Sequence, residues 1–307
     1  MSPAATLEAL RGKTVSTYDE ALAFEWLYSR EGMTLKKLAD MTVKADKLPS
    51  VAMSEYCGLL GADGMDEIEA HFQKKLERLP FQVAVKGTTS WPDGISDSAR
   101  PTPVLYFCGD LDLLDTDRVS VVGSRKATDA GLARAARIGR ELAEAGVTVV
   151  SGLAKGIDTA AMTAALNTNA DNRFRRGRVI GVIGTPLDEQ YPRENAQLQY
   201  FVASYDLLLS QVPFYRYSVQ PFNTRRYYFP ERNELMAAVS QATVIVEASD
   251  TSGTLAQARA CLHQHRPLFI ARSCVENEAV TWPRKWAARP GVFVLDDVSQ
   301  VIDAVRS

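Results

Sequence analysis

Cysteine and histidine are too scarce in this chain to build much chemistry from. There are four cysteines, Cys57, Cys108, Cys261 and Cys274, and three histidines in 307 residues. No two cysteines form a C-x-x-C pair, and none stands with the histidines at metal-ligand spacing. That argues against a zinc site or a disulfide framework and for reduced thiols in a cytosolic protein; no metal and no cofactor is expected. An excess of positive charge is missing too. The net charge is −2, so any affinity for a polyanion must come from a local patch. No apolar run approaches the ~20 residues that span a bilayer, and MSPAATLEAL lacks the charged-then-apolar pattern of a secretory signal. The expectation is a soluble, cytoplasmic protein with no membrane partner. The nucleotide fingerprints are absent as well: no G-x-G-x-x-G follows the first apolar run of the second half, and G-x-x-x-x-G-K-[ST] occurs nowhere. A dinucleotide or triphosphate-hydrolysing site thereby loses most of its support.

What the chain does have is 46% hydrophobic residues, enough for a large core. Residues 17–79 read as several short helices. TYDEALAFEWLYSREG offers Thr17 as a cap and Leu22, Trp26 and Leu27 at helical spacing. A module of this size resembles helix-turn-helix or helix–hairpin–helix units, and its mixed charges favour a structural or partner-docking role over DNA contact. The expected organisation is a helical N-terminal domain over 1–86, a Gly/Pro/Ser-rich lead-in over 87–103, and a larger domain over 104–307. In that last part RVSVVG, VTVVSG, RVIGVIG, DLLLSQV, ATVIVEAS, RPLFIAR and VFVL are continuous apolar, largely β-branched runs. Such runs fit strands buried on both faces, as in a parallel sheet. Amphipathic stretches alternate with them, so the fold class is α/β: a doubly wound, mostly parallel sheet preceded by a small helical domain.

In such a sheet ligands bind beyond the carboxyl ends of the strands, and three turns there carry matching chemistry. They are Gly123-Ser124-Arg125-Lys126, then Ser151-Gly152-Leu153-Ala154-Lys155-Gly156, then Ser252-Gly253-Thr254. Glycines permit close backbone approach, hydroxyls and N–H groups suit oxygens, and two turns add cations; helix N-termini favour anions besides. Together they predict a phosphate-lined groove. YRYSVQPFNTRRYYFPERN, residues 215–233, interleaves six aromatics with four arginines, among them Arg225, Arg226 and Arg232 beside Asn233. Aromatic faces stack bases at ~1–3 kcal/mol each while arginines hold phosphates. RFRRGR, 173–178, reads as a solvated loop.

With these residues in view, the chain resembles the DprA/Smf family of DNA-processing proteins. The resemblance rests on VSVVGSRKAT, VVSGLAKGIDTAA, VIGVIGTPLDEQYPREN, FPERNELMAAVS and VIVEASDTSGTLAQARAC, in that order, with PTPVLYFCGDLDLL before them. It covers roughly residues 90–300. It implies an extended Rossmann-like fold, binding of single-stranded DNA, a homodimer, and help in loading the RecA recombinase. By motif, Arg125 and Lys155 would contact DNA, with Gly123, Ser124, Ser151 and Gly152 shaping the pocket. The chain departs from the pattern at Met162, where the family carries histidine, and at Glu234, where a third cation of an Arg-Asn-Arg run is expected. A Pro-Gly after LFIARS is missing, and the chain ends at Ser307 without room for a winged helix. Glu234 is expected to face phosphate and weaken binding. Two other readings stay open. One is a diverged paralogue acting with a protein partner, as an antitoxin or in phage defence. The other is a phosphoribohydrolase of the Lonely Guy type, which would need a Pro-Gly-Gly-x-Gly-Thr loop with a catalytic carboxylate near where Gln257 stands; Glu247 lies close to the rim and Asp158 follows the second turn.

Overall fold

A computed structural model describes residues 15–58, 61–95, 98–169 and 176–307. Nine strands form one sheet: β1 Gln82–Val85, β2 Val104–Gly109, β3 Arg118–Val122, β4 Thr148–Ser151, β5 Val179–Ile183, β6 Leu207–Ser210, β7 Ala242–Ile245, β8 Leu268–Ala271 and β9 Val292–Leu295, in the order β1-β2-β6-β5-β4-β3-β7-β8-β9. The seven strands from β6 to β9 in that order run parallel, while β1 and β2 are added antiparallel at one edge. Strands β3 to β8 are buried at every position, which is why their sequences run apolar without alternation. β9 closes the far edge and is less buried, with Phe293 exposed and stacked on Phe269. β1 lies past the helices read over 17–79 but within 1–86, the span assigned to a helical N-terminal domain.

After β3 the chain enters helix Asp129–Glu144, where the Thr128 side chain accepts from the Gly131 N–H. That helix lies against helix Ile157–Leu166 so closely that a Cβ on Gly139 would overlap the Ala161 carbonyl. Helices Ala196–Tyr205, Tyr228–Val239 and Thr254–His263 complete the layers nearest the carboxyl rim. No helix among the described residues is long and apolar enough to cross a membrane.

The N-terminal helices are Thr17–Ser29, Leu35–Met41, Pro49–Cys57 and Met65–Arg78. The first is capped by Ser16, whose side chain accepts from the Asp19 N–H. The expected cap, Thr17, is the first helical residue instead. These helices pack on the sheet through an aromatic cluster in which Phe72, Phe81, Tyr106 and Phe214 meet at centroid distances of 4.7–6.0 Å. Buried Glu25 anchors this contact. Its carboxylate accepts from Tyr106 Oη at 2.6 Å and from the N–H groups of Phe214 and Tyr215 at 2.8 and 2.9 Å, capping the short helix Phe214–Val219.

The basic run 173–178 differs from its expected role as a solvated loop. Its first three residues lie outside the described residues, as does the N-terminal decapeptide, but Arg176 and Arg178 both bind Asp206, whose side chain is fully buried. They neutralise a buried carboxylate at the start of β6.

Candidate nucleic-acid interface

Strand order reverses between β3 and β7, where successive connections leave in opposite directions and part the rim of the sheet. A cleft of about 700 Å³ opens there. The turn after β3 supplies Gly123, Ser124, Arg125 and Lys126; helix Tyr228–Val239 supplies Phe229, Arg232 and Asn233; the turn after β7 supplies Ser252, Gly253 and Thr254. A second pocket of about 300 Å³ shares Arg125, Lys126, Phe229 and Arg232 and adds Gly152, Lys155 and Tyr191. The two make one groove along the rim.

The backbone donors that attract an anion at a helix start are partly taken by the protein's own acids. Glu247, after β7, accepts from Thr128 N at 3.0 Å and Thr128 Oγ1 at 2.7 Å, so it fills the start of helix Asp129–Glu144. Asp158 does the same at the second turn, accepting from Gly152 N at 3.1 Å and Ala154 N at 3.4 Å. Burial pushes the Asp158 carboxyl up, and the nearby Arg232 charge opposes that. The groove's means of attracting an anion therefore lie in its side chains. Arg125 and Lys126 are exposed, and neither has an ion-pair partner among the described residues. The Arg125 guanidinium lies 5.9 Å from the Phe229 ring centroid. Lys155, half exposed, pairs with Glu194, a contact open to water and easily exchanged for phosphate.

Arg232 lies in the floor. It is 7% exposed, and its Nη1 donates to the carbonyls of Gly152 at 2.9 Å and Val182 at 2.7 Å while Nε donates to Asn233 Oδ1 at 3.0 Å. Burial lowers its pKa to about 10, still far above neutral pH. It ties the turn after β4 to strand β5 and lends the cleft its charge from below. Gly152 must be glycine for this, since a Cβ there would overlap the guanidinium. Gly156 has φ +80° and faces the Ser124 carbonyl where a Cβ would sit, so the first two turns interlock. The third turn is joined to the first by Thr254 Oγ1, which donates to the Gly123 carbonyl at 3.1 Å.

Not every expected residue reaches the groove. Ser151 is buried and donates to the Val121 carbonyl at 2.8 Å, so its hydroxyl locks β4 to β3. Arg225 and Arg226 lie outside the cleft, Arg225 4.4 Å from the Tyr217 ring and Arg226 5.4 Å from that of Tyr227. Beside them Phe222 and Tyr227 are 84% and 60% exposed, whereas Tyr217 and Tyr228 are core residues. Glu234 corrects an expectation outright. It does not face the groove: both carboxylate oxygens take the Arg100 guanidinium, with Nε at 3.1 and 3.2 Å. On a helix, one residue beyond Asn233 turns by about 100°, which carries Glu234 off the cleft face. Phe229 and Tyr191, rings 5.3 Å apart, line the groove without having been singled out for it. The only signal in the sequence was their position beside proline in matched motifs.

An open α/β sheet with a cation-bearing cleft at its switch point defines a Rossmann-like protein whose rim cleft has the chemistry to suit an anion. Comparison with known proteins narrows this. The sequence model of the DNA recombination-mediator protein A family matches residues 82–303, and the chain belongs to that family. DNA processing protein DprA of Streptococcus pneumoniae is 33% identical over 201 residues, 66% of either chain. Its Bacillus subtilis counterpart is 28% identical over 250 residues, 81% of this chain and 78% of the relative. Protein Smf of Synechocystis is 34% identical, across 66% of this chain but 47% of its own. The match thus spans about two thirds of the first relative and half of the last. The X-ray structure of the S. pneumoniae protein superposes with TM-score 0.69 at 25% identity, covering 94% of this chain and 98% of that one. DNA processing protein A from Helicobacter pylori, described for its single-stranded DNA binding mode, superposes with TM-score 0.61 at 24% identity, over 74% and 96%.

Proposed function

We propose that this protein grips single-stranded DNA along the rim groove, for DNA processing in recombination, without breaking a bond. The observation that carries the reading is the pair Arg125 and Lys126: exposed, unpaired by any acid among the described residues, and set on the turn at the switch point. Lys155 extends the cationic line on one side. On another, the exposed Phe222 and Tyr227 with Arg225 and Arg226 offer stacking faces and cations for bases and phosphates leaving the groove. Binding rather than catalysis is supported by Glu247 and Asp158, the acids a phosphoribohydrolase would call on, because each is spent on backbone N–H groups. Buried Gln257 stands where that enzyme needs a carboxylate. A homodimer, a cytoplasmic setting and RecA as a partner belong to the same proposal. The named relatives favour it over a defence module.

The test is a titration of oligothymidylate, duplex DNA and free nucleotides, with Arg125→Ala/Lys155→Ala as the variant. Single strands should bind tightest, with a log–log salt slope of about −0.7 per phosphate engaged, and the double variant should weaken all sequences alike. Equal binding by variant and wild type would refute the assignment, and nucleotide turnover in the same samples would refute the non-catalytic part. Gel filtration reads the dimer.

A further inference from the structure

We propose a second anion seat, sized for one phosphate group, farther out on the same rim. A pocket of about 150 Å³ lies past the carboxyl ends of β8 and β9 and shares no residue with the cleft. Arg134 and Arg137 reach it from one face of helix Asp129–Glu144, Arg272 and Ser273 follow β8, and Asp296 follows β9. At ~30 Å³ per liquid water the space equals roughly five waters, room for a tetrahedral oxyanion and little more.

Three guanidiniums meet one carboxylate there. Asp296 takes Arg272 by two points, Nη2 to Oδ2 at 2.7 Å and Nε to Oδ1. Neighbouring Asp297 is turned aside, accepting from Ser299 N at 2.9 Å and Ser299 Oγ at 2.6 Å. Glu141 and Glu276 touch Arg137 and Arg272 only at 3.9 and 3.8 Å, on exposed helix faces where such pairs contribute little. Arg134 has no ion-pair partner among the described residues. The pocket is left with an excess of planar, forked donors, the geometry that matches phosphate oxygens. Independently of the charges, Ser273 Oγ is buried and has no hydrogen-bond partner among the described residues. A buried hydroxyl left unpaired is unfavourable, and rotation of the Ser273 side chain toward the pocket it lines would let a phosphate oxygen accept from it.

The ligand chemistry is a phosphate group, carried either by a nucleic-acid backbone or by a small phosphorylated molecule. Two measurements separate the sources: calorimetric titration of the full chain with inorganic phosphate in chloride buffer, and oligothymidylate affinity against salt. Each is run on wild type, Arg134→Ala/Arg137→Ala, Ser273→Ala and, for the cleft, Arg125→Ala. A small-molecule seat predicts that phosphate affinity falls by roughly tenfold or more in the double variant, the scale of one charge-assisted hydrogen bond, and falls in Ser273→Ala while Arg125→Ala keeps it. A backbone seat predicts a salt slope reduced by ~0.7 for each phosphate the variant no longer holds. Ser273→Ala removes a hydroxyl without a partner, so it folds and keeps the test alive should the double variant not. Neither quantity changing in these variants, or phosphate binding abolished only in Arg125→Ala, overturns the proposal. Phosphate bound here by a chain that binds no DNA would uphold this seat and fail the reading of the cleft.

Discussion

Replacing Arg232 by alanine should weaken the fold of this protein far more than its grip on DNA. The guanidinium is buried and holds the carbonyls of Gly152, in the turn after β4, and of Val182, in β5, together with the Asn233 side chain. Its charge also offsets that of buried Asp158. Each buried hydrogen-bonding group left without its partner costs about 1–3 kcal/mol, and Asp158 loses the charge that opposes its burial, against a typical total stability of about 5–15 kcal/mol. The urea midpoint, followed by tryptophan fluorescence, should drop accordingly. The pH dependence identifies the cause. In the variant Asp158 is without the cation that opposes burial, so its folded pKa rises farther above the unfolded value of about 3.9. An acid shifted that way is penalised above its folded pKa and relieved as pH falls toward the unfolded one. The variant's deficit should therefore be smaller at pH 5 than at pH 8. A deficit under about 1 kcal/mol, the scale of a surface change, and equal at both pH values would refute the claim that Arg232 is a buried tie.

Three further outcomes follow from the same geometry. Glu234→Arg should leave single-strand affinity unchanged and lower stability by about 1 kcal/mol, since it sets a cation against Arg100; increased DNA affinity would return Glu234 to the groove. Gly156→Ala should destabilise by about 1–3 kcal/mol from its left-handed backbone, plus overlap with the Ser124 carbonyl, and weaken DNA binding by parting the two turns; a thermal melt and one titration suffice. Wild-type stability should decline as pH rises from 5 to 7 and then level. Burial pushes Glu25 and Glu231 each up to about 7, so the folded chain holds protons that the unfolded chain releases. His71, whose burial lowers its pKa, opposes this with one group against two. A urea midpoint that climbs between pH 5 and 7 would show that the hydrogen bonds to Glu25 outweigh its burial.

The parallel strands were legible because burial on both faces admits apolar side chains and the occasional small hydroxyl that finds a partner, as in VSVV and VTVVS. The rim turns were legible through their glycines, since Gly123 and Gly152 occupy places where a side chain would collide with neighbouring elements. β1 was not, because QVAV is a four-residue edge strand next to a helix and its pairing with β2 is set by tertiary contact. Nor was the use of each charge. Arg125, Arg178 and Arg232 are equivalent in a one-dimensional reading, yet one is free on the rim, one neutralises buried Asp206, and one is sealed beneath the cleft. What separates them is the position of an acid distant in sequence: Glu247 fills a helix start 119 residues before it, and Glu234 reaches back 134 residues to Arg100. A cation is most available to a phosphate where the fold has brought no such acid to it, and next where the pair is exposed, as at Lys155. The turn after β3 meets the first condition because Glu247, which follows the neighbouring strand β7, spends its carboxylate on the backbone and side chain of Thr128 instead of on Arg125 or Lys126.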